Sequence, residues 1–323
     1  MSDNIPFDIQ MDIMNRLSVK SLLQFRIVSK QWKFSIDNFK FIRNYGVRER
    51  NNSCFNLSYK HDNHGFMYYV DENLAFRHMN SNLNIISLTP VASFKDVWCF
   101  AFGDNSMLLI WNPSIKKSVG ISVHDYTFQP DSPKMIFGFG IRLVTLEPTL
   151  LKINYPLYND GSWYVLVPTL SSKSWYNLDY DCLPRESIRI KRASQVFIDG
   201  KILWIGSERF YDDDGISNKI YLIVSFDLVT HQFHVQEMPE QVRVGKFSPS
   251  YYISQLGDSL IISGSFDFGE FCINYAWALE VEGGFVSSCS MLFTIPHPTC
   301  HYLKLLGFSK DNQPIVEATI VQQ

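Results

Sequence analysis

The sequence lacks any close pair of cysteines. Cys54, Cys99, Cys182, Cys272, Cys289 and Cys300 are irregularly spaced, and none forms a C-x-x-C unit. Neither a disulfide framework nor a zinc ribbon is expected, and free thiols in a reducing compartment are the default. Long apolar runs are also missing: none approaches the ~18 residues of a membrane helix, so no membrane partner is expected. Asp3, Asp8 and Asp12 interrupt the first apolar positions, which argues against a secretory signal. The expected location is the cytoplasm and/or the nucleus. Charge of one sign is scarce as well. A net charge of −3 over 323 residues offers no footprint for nucleic acid.

Catalytic signatures are equally sparse. G-x-S-x-G is absent, so no Ser/His/Asp set can be assigned. Asp267-Phe268-Gly269 has no H-R-D loop or strand lysine to accompany it. Gly264 and Gly269 have P-loop spacing, but no Gly-Lys-Ser/Thr follows. Gly138 and Gly140 form a lone G-x-G with no following helix, which reads as close strand packing. Three consecutive acids, Asp212, Asp213 and Asp214, do not alternate as calcium ligands do. His297, Cys300 and His301 have no second cluster at zinc spacing, and neither do His231 and His234. No catalytic residue, metal ligand or cofactor is expected.

What is present divides in two. Residues 1–50 hold 9 Lys+Arg against 5 Asp+Glu, leaving 20 against 27 in the remainder. The first part reads as three short helices. Pro6 suits a helix start, and Ile9, Ile13, Met14 and Leu17 then share a face. Ser18 and Ser29 can cap a second helix over about 19–28 and a third carrying Trp32, Ile36 and Phe39. The second helix is apolar on too many sides for a single buried stripe: Val19, Leu22, Leu23, Phe25, Ile27 and Val28. Either these helices cap the rest of the chain, or part of their surface meets another protein. About 46 residues without a cysteine supply little core, so full ordering is expected to need a covering partner.

Residues 47–53, VRERNNS, read as a linker. From residue 54 to 323 the pattern is all-β: short apolar runs such as MLLIW (107–111), WYVLV (163–167), KILWIG (201–206), YLIVSF (221–226) and SLIISG (259–264), with turn residues between them. VFIDGKILWIG (196–206) resembles ISQLGDSLIISG (253–264), and each is followed by a second strand–turn–strand unit. Four short strands recurring every ~50 residues predict kelch-like β-propeller blades. An irregular β-sandwich pair is the alternative. Six tryptophans, Trp98, Trp111, Trp163, Trp175, Trp204 and Trp277, fall in or beside these strands and are expected mainly in the core.

The run IPFDIQMDIMNRLSVKSLLQFRIVSKQW resembles the F-box motif of plant proteins. Ile5-Pro6 matches its opening pair, and Ile9, Asp12, Ile13, Arg16 and Leu17 its first helix. Val19-Lys20-Ser21-Leu22-Leu23, Phe25-Arg26, Val28-Ser29-Lys30 and Trp32 match the rest. Ser18 stands where the family commonly has proline, and Gln24 where it often has arginine. WNPSIKKSV, FGFGI, SFDLVTHQFHVQEMP and LGFSKDNQPIVE resemble landmarks of the plant F-box-associated, kelch-like domain. A glycine-containing segment usual before the first of these is replaced by FKDVWCFAFGDN.

The resemblance implies the substrate-recognition subunit of an SCF-type cullin–RING ubiquitin ligase, which is not itself an enzyme. It implies that Ile5, Pro6, Ile9, Ile13, Leu17, Val19, Leu22, Leu23, Arg26, Val28 and Trp32 dock on the ligase adaptor, and through it on cullin. The β domain would then hold a protein client, with Tyr211 and Asp212–Asp214 as candidate contacts. The competing reading is a non-catalytic ligand- or carbohydrate-binding β-propeller protein with a helical cap.

Overall fold

The structure, a computed structural model, describes residues 5–45 and, beyond them, 55–61, 64–70, 76–78, 88–94, 97–102, 105–112, 115, 117–123, 134–143, 145, 147–155, 163–169, 174–191, 195–211, 215, 217–243, 251–267, 272–297, 302–308 and 312–319. Residues 47–53 lie outside this set.

Helix α1 spans Phe7–Met14, α2 Val19–Val28, α3 Lys30–Ile36 and α4 Phe39–Asn44. Pro6 sits just outside α1, and its carbonyl accepts from the Ile9 and Gln10 amides at 3.0 and 3.1 Å. Ser18 and Ser29 cap as their side chains allow, accepting from the Ser21 and Trp32 amides at 3.3 and 3.4 Å. The fourth helix corrects the expected count of three, in which Phe39 belonged to the third. The chain breaks after Ile36 because Asn38 turns extended and its side chain accepts from the Lys40 amide at 2.9 Å, starting a new helix.

All the described strands are antiparallel to their neighbours. Strands β1 (Phe55–His61), β2 (His64–Val70) and β3 (Phe76–His78) form a three-stranded sheet. The remainder is arranged as a four-bladed β-propeller. The first blade is the meander β4 (Leu88–Phe94), β5 (Val97–Phe102), β6 (Met107–Asn112) and β7 (Lys117–Ser122). The second holds β8 (Lys134–Ile141), β9 (Pro148–Tyr155), β10 (Tyr164–Thr169) and β11 (Ser174–Asn177). In the third, β12 (Arg189–Ile190) and β13 (Val196–Ile198) both pair β14 (Lys201–Tyr211), followed by β15 (Ser217–Asp227) and β16 (Phe233–Glu237). The fourth is β17 (Tyr252–Leu256), β18 (Ser259–Asp267), β19 (Cys272–Glu282) and β20 (Phe285–His297). A last hairpin, β21 (Tyr302–Phe308) with β22 (Pro314–Thr319), packs beside β17 and β18.

The repeat read in the sequence is this blade pattern. Asp199-Gly200 and Gly257-Asp258 each make a two-residue hairpin, with Gly200 at φ 74° and Gly257 at φ 59°, where a side chain is disfavoured. The central strands are apolar on both faces because each face meets a different blade. Ile202 and Trp204 pack toward the second blade with Leu151, Ile153 and Phe226, while Leu203 and Ile205 pack toward the fourth with Leu260, Ile262 and Leu279. The G-x-G of β8 lies at such a seam. A Cβ at Gly138 would stand 2.9 Å from the Trp204 ring, and one at Gly140 2.7 Å from both Leu228 and Phe197. Trp98, Trp163 and Trp204 are buried; Trp111, Trp175 and Trp277 are half-buried.

A polar latch joins the second and third blades. Arg142 donates to the Leu228 carbonyl at 3.0 Å and from Nη2 to His231 Nε2 at 2.8 Å, while His231 Nδ1 meets the Tyr176 hydroxyl at 3.2 Å. Arginine can only donate, so Nε2 is the acceptor and Nδ1 carries the proton. Burial and then the Arg142 cation hold the imidazole below its usual pKa; Asp227 and a backbone hydrogen bond at Leu228 pull it up without reversing the shift. A depressed folded value costs nothing well above the unfolded pKa of ~6.5, and stability is lost as pH falls through that value toward the folded one. His231→Asn keeps a residue tolerant of the positive φ at this turn (59°) and removes the titration. Its melting temperature should fall less than the wild type's between about pH 7.5 and pH 5. Equal falls would show that the latch does not titrate with folding.

Candidate functional site: the apolar faces of the N-terminal helices

The helical unit has a small interior. Met14, Leu22 and Ile36 are buried, with Met11, Leu17, Phe25, Trp32, Phe41 and Tyr45 packed around them. Phe25 meets Trp32 edge-on at 5.3 Å, and the Trp32 indole N–H donates to Gln10 Oε1 at 2.9 Å. The Tyr45 hydroxyl donates to the Leu17 carbonyl at 2.5 Å, tying the end of α4 to the turn after α1. Arg26 grips Asp37 with both arms of its guanidinium, at 2.5 and 2.8 Å, and holds the Asp37 carboxyl below its ordinary pKa.

Several large apolar side chains stay outside this interior. Ile9 and Ile13, four residues apart, form an exposed ridge on α1, and Ile5, also exposed, lies just ahead of the helix. Leu23 and Ile27 form a second on α2, extended by Val28; Ile27 is 86% and Val28 71% exposed. Phe34 on α3 is 75% exposed, and Ile42 on α4 is also uncovered. Helix α2 can be apolar on both sides because Leu22 and Phe25 face the interior while Leu23 and Ile27 face away.

The eleven residues named from the sequence therefore separate. Ile5, Pro6, Ile9, Ile13, Leu23 and Val28 are exposed; Leu17, Val19, Arg26 and Trp32 are half-buried. Leu22 stands apart from the others: at 5% exposure it lies in the interior with Met14 and Ile36 rather than on the uncovered surface. Ile27 was counted among the surplus apolar residues of the second helix but not among those that dock, and Phe34 and Ile42 were not named. The four-residue step from Leu23 could have found Ile27; Phe34 had no such signal.

At the other candidate surface, Tyr211 ends β14 and is 72% exposed; Asp212–Asp214 lie outside the described residues. The β14–β15 ladder continues to Tyr211↔Ser217, whereas β12 stops at Ser207 and β16 at Leu222. The hairpin end is thus a two-stranded ribbon. Among the described residues no cluster of three His, Cys, Asp or Glu could hold a metal, and the four described cysteines are free. No helix is long and apolar enough to cross a membrane among the described residues.

Residues 2–44 match the F-box domain, so the chain carries an F-box at its N-terminus. Its relatives are plant F-box and F-box/kelch-repeat proteins. One protein of Arabidopsis thaliana that carries an F-box protein name is 27% identical over 76% of this chain and 60% of its own length. An F-box/kelch-repeat protein of the same plant is 23% identical over 91% of this chain and 80% of its own. The chain spans about half to three-fifths of the first of these relatives. Among solved structures, one titled as that of YjhT aligns at a TM-score of 0.41 with 13% identity, covering 70% of this chain and 69% of that one, too distant a likeness to argue from.

Proposed function

We propose that the chain is the substrate-recognition subunit of an SCF-type cullin–RING ubiquitin ligase. The observation that carries this reading is the pair of bare aliphatic ridges on α1 and α2, set on a domain matched as an F-box. In this reading the adaptor of the ligase covers Ile5, Ile9, Ile13, Leu23, Ile27 and Val28, and cullin is reached through it. The propeller holds a protein client and raises its local concentration near the charged ubiquitin-conjugating enzyme. The chain does no bond chemistry itself, and it works where cullin–RING ligases do, in the cytoplasm or nucleus. Co-purification with the adaptor tests the first half: a full chain that captures none, with its helices folded, overturns the reading in favour of a ligand-binding propeller with a helical cap.

The β14–β15 ribbon contributes to client choice in this reading. It bears exposed Phe210 and Tyr211 and extends beyond its neighbouring strands, so shortening it should cost little stability. Replacing residues 209–219 by a Gly-Ser turn, which keeps Ser207 paired with β12 and Glu208 with Arg185, should leave adaptor capture and the melting temperature in place and change the set of proteins captured. An unchanged set removes the ribbon as a determinant.

A further inference from the structure

Strand β20 differs from the outer strands of its sister blades. Those of the first three blades, β7, β11 and β16, are 6, 4 and 5 residues long, and β7 and β16 carry Lys117 and Glu237. Strand β20 has 13 residues, FVSSCSMLFTIPH, with no Lys, Arg, Asp or Glu among them. It forms the outer edge of its sheet and exposes Met291 (53%), Leu292 and Ile295. Proteins ordinarily protect such an edge by shortness, charge, cover, proline or bulges; β20 has two bulges, at Ser287 and Leu292, and Pro296 near its end, but neither shortness nor charge.

The molecule covers one rung of this edge and no other among the described residues. The carboxamide of Gln236 accepts from the Val286 N–H at 2.8 Å and donates to the Val286 carbonyl at 3.4 Å, as a neighbouring strand would. Gln195 closes Phe139 on β8 in the same way, at 3.0 and 2.6 Å. Val286 thus points both backbone groups away from β19, and in an antiparallel ladder alternate residues of an edge strand do so. The ladder bulges at Ser287 and Leu292, and between and beyond these bulges Ser288–Met291 and Phe293–Ile295 present their outward backbone groups uncovered.

We propose that this edge is a strand-addition site for an extended client segment in which apolar residues alternate with basic ones. Backbone pairing supplies the affinity and Met291, Leu292 and Ile295 the apolar contact. The charge preference follows from β19, whose charged residues are Glu280 and Glu282 alone. Both are exposed. Glu280 accepts from the Ser288 hydroxyl at 2.8 Å, which brings its carboxylate to the edge strand. The proposal rests on the reading of the propeller as the client-binding part.

The test uses the full chain and a fluorescein-labelled (Val-Lys)4 peptide, with (Val-Glu)4 as control. Saturable anisotropy with the basic peptide is expected, about tenfold weaker with the acidic one. Amide exchange across residues 286–297 should slow when the basic peptide is bound. The double variant M291K/L292K should bind at least about tenfold more weakly with an unchanged melting temperature; if it fails to fold, the exchange measurement on the wild type decides alone. No saturation, equal binding of both peptides, or exchange slowed elsewhere overturns the proposal. So does a concentration-dependent dimer that protects 286–297 without peptide, since the occupant is then a second copy. Adaptor capture measured on the same sample distinguishes loss of this site from failure of the ligase reading.

Discussion

Replacing Leu23 and Ile27 together by Asp should abolish adaptor capture while the β domain's melting transition stays where it was. Both side chains are exposed on one ridge of α2, so in the free chain the charges sit in water and cost little. In the complex they would enter an apolar contact without partners, and an unpaired charge there costs several kcal/mol. A loss of at least ~100-fold in affinity follows, since each ~1.4 kcal/mol is a factor of ten. Leu22→Asp provides the contrast. It places the charge inside the small interior with Met14 and Ile36, so binding is lost because the helices come apart. Far-UV circular dichroism separates the two: helicity is retained in the Leu23/Ile27 variant and lost in Leu22→Asp. Undiminished capture by the double variant would remove α2 from the interface.

The second large effect is expected at the seam between the second and third blades. Trp204 is buried beside Leu151, Ile202 and the bare backbone of Gly138. Trp204→Ala should cost ~3–5 kcal/mol, a large share of the ~5–15 kcal/mol typical of a folded domain. The midpoint of urea unfolding should drop accordingly. Gly138→Ala should destabilise the wild type, because its methyl would stand 2.9 Å from the Trp204 ring. In the Trp204→Ala background the same methyl enters the vacated space, so the double variant should be more stable than the sum of the single effects predicts, by about 0.5 kcal/mol or more. Simple additivity would show that the two positions do not share that space.

The strands and the seams between blades show how far local pattern carries. The runs at 107–111, 163–167, 201–206, 221–226 and 259–264 are all strands of the propeller, because a strand covered on both faces must be apolar throughout. The G-x-G at 138–140 was legible as close packing, yet not as a seat for Trp204, Phe197 and Leu228, which come from another blade. The Arg142–His231–Tyr176 latch had no signature at all. Its members are 89 and 55 residues apart from His231, and only the stacking of blades brings them together.

By itself the sequence determined the change from helices to β-strands along the chain, the helix starts at Ser18 and Ser29, and the excess of apolar side chains on α2. These follow from capping chemistry, hydrophobic period and turn residues, which act within a few residues of one another. Only the tertiary structure decided which of those apolar side chains are spare. Leu22 and Leu23 are adjacent and chemically identical, and nothing local distinguishes them. The packing of α1 and α3 against one side of α2 buries the first with Met14 and Ile36 and leaves the second in water. The same holds for β20: its composition was visible, but that it forms an outer edge is a property of the sheet order, which no single strand contains.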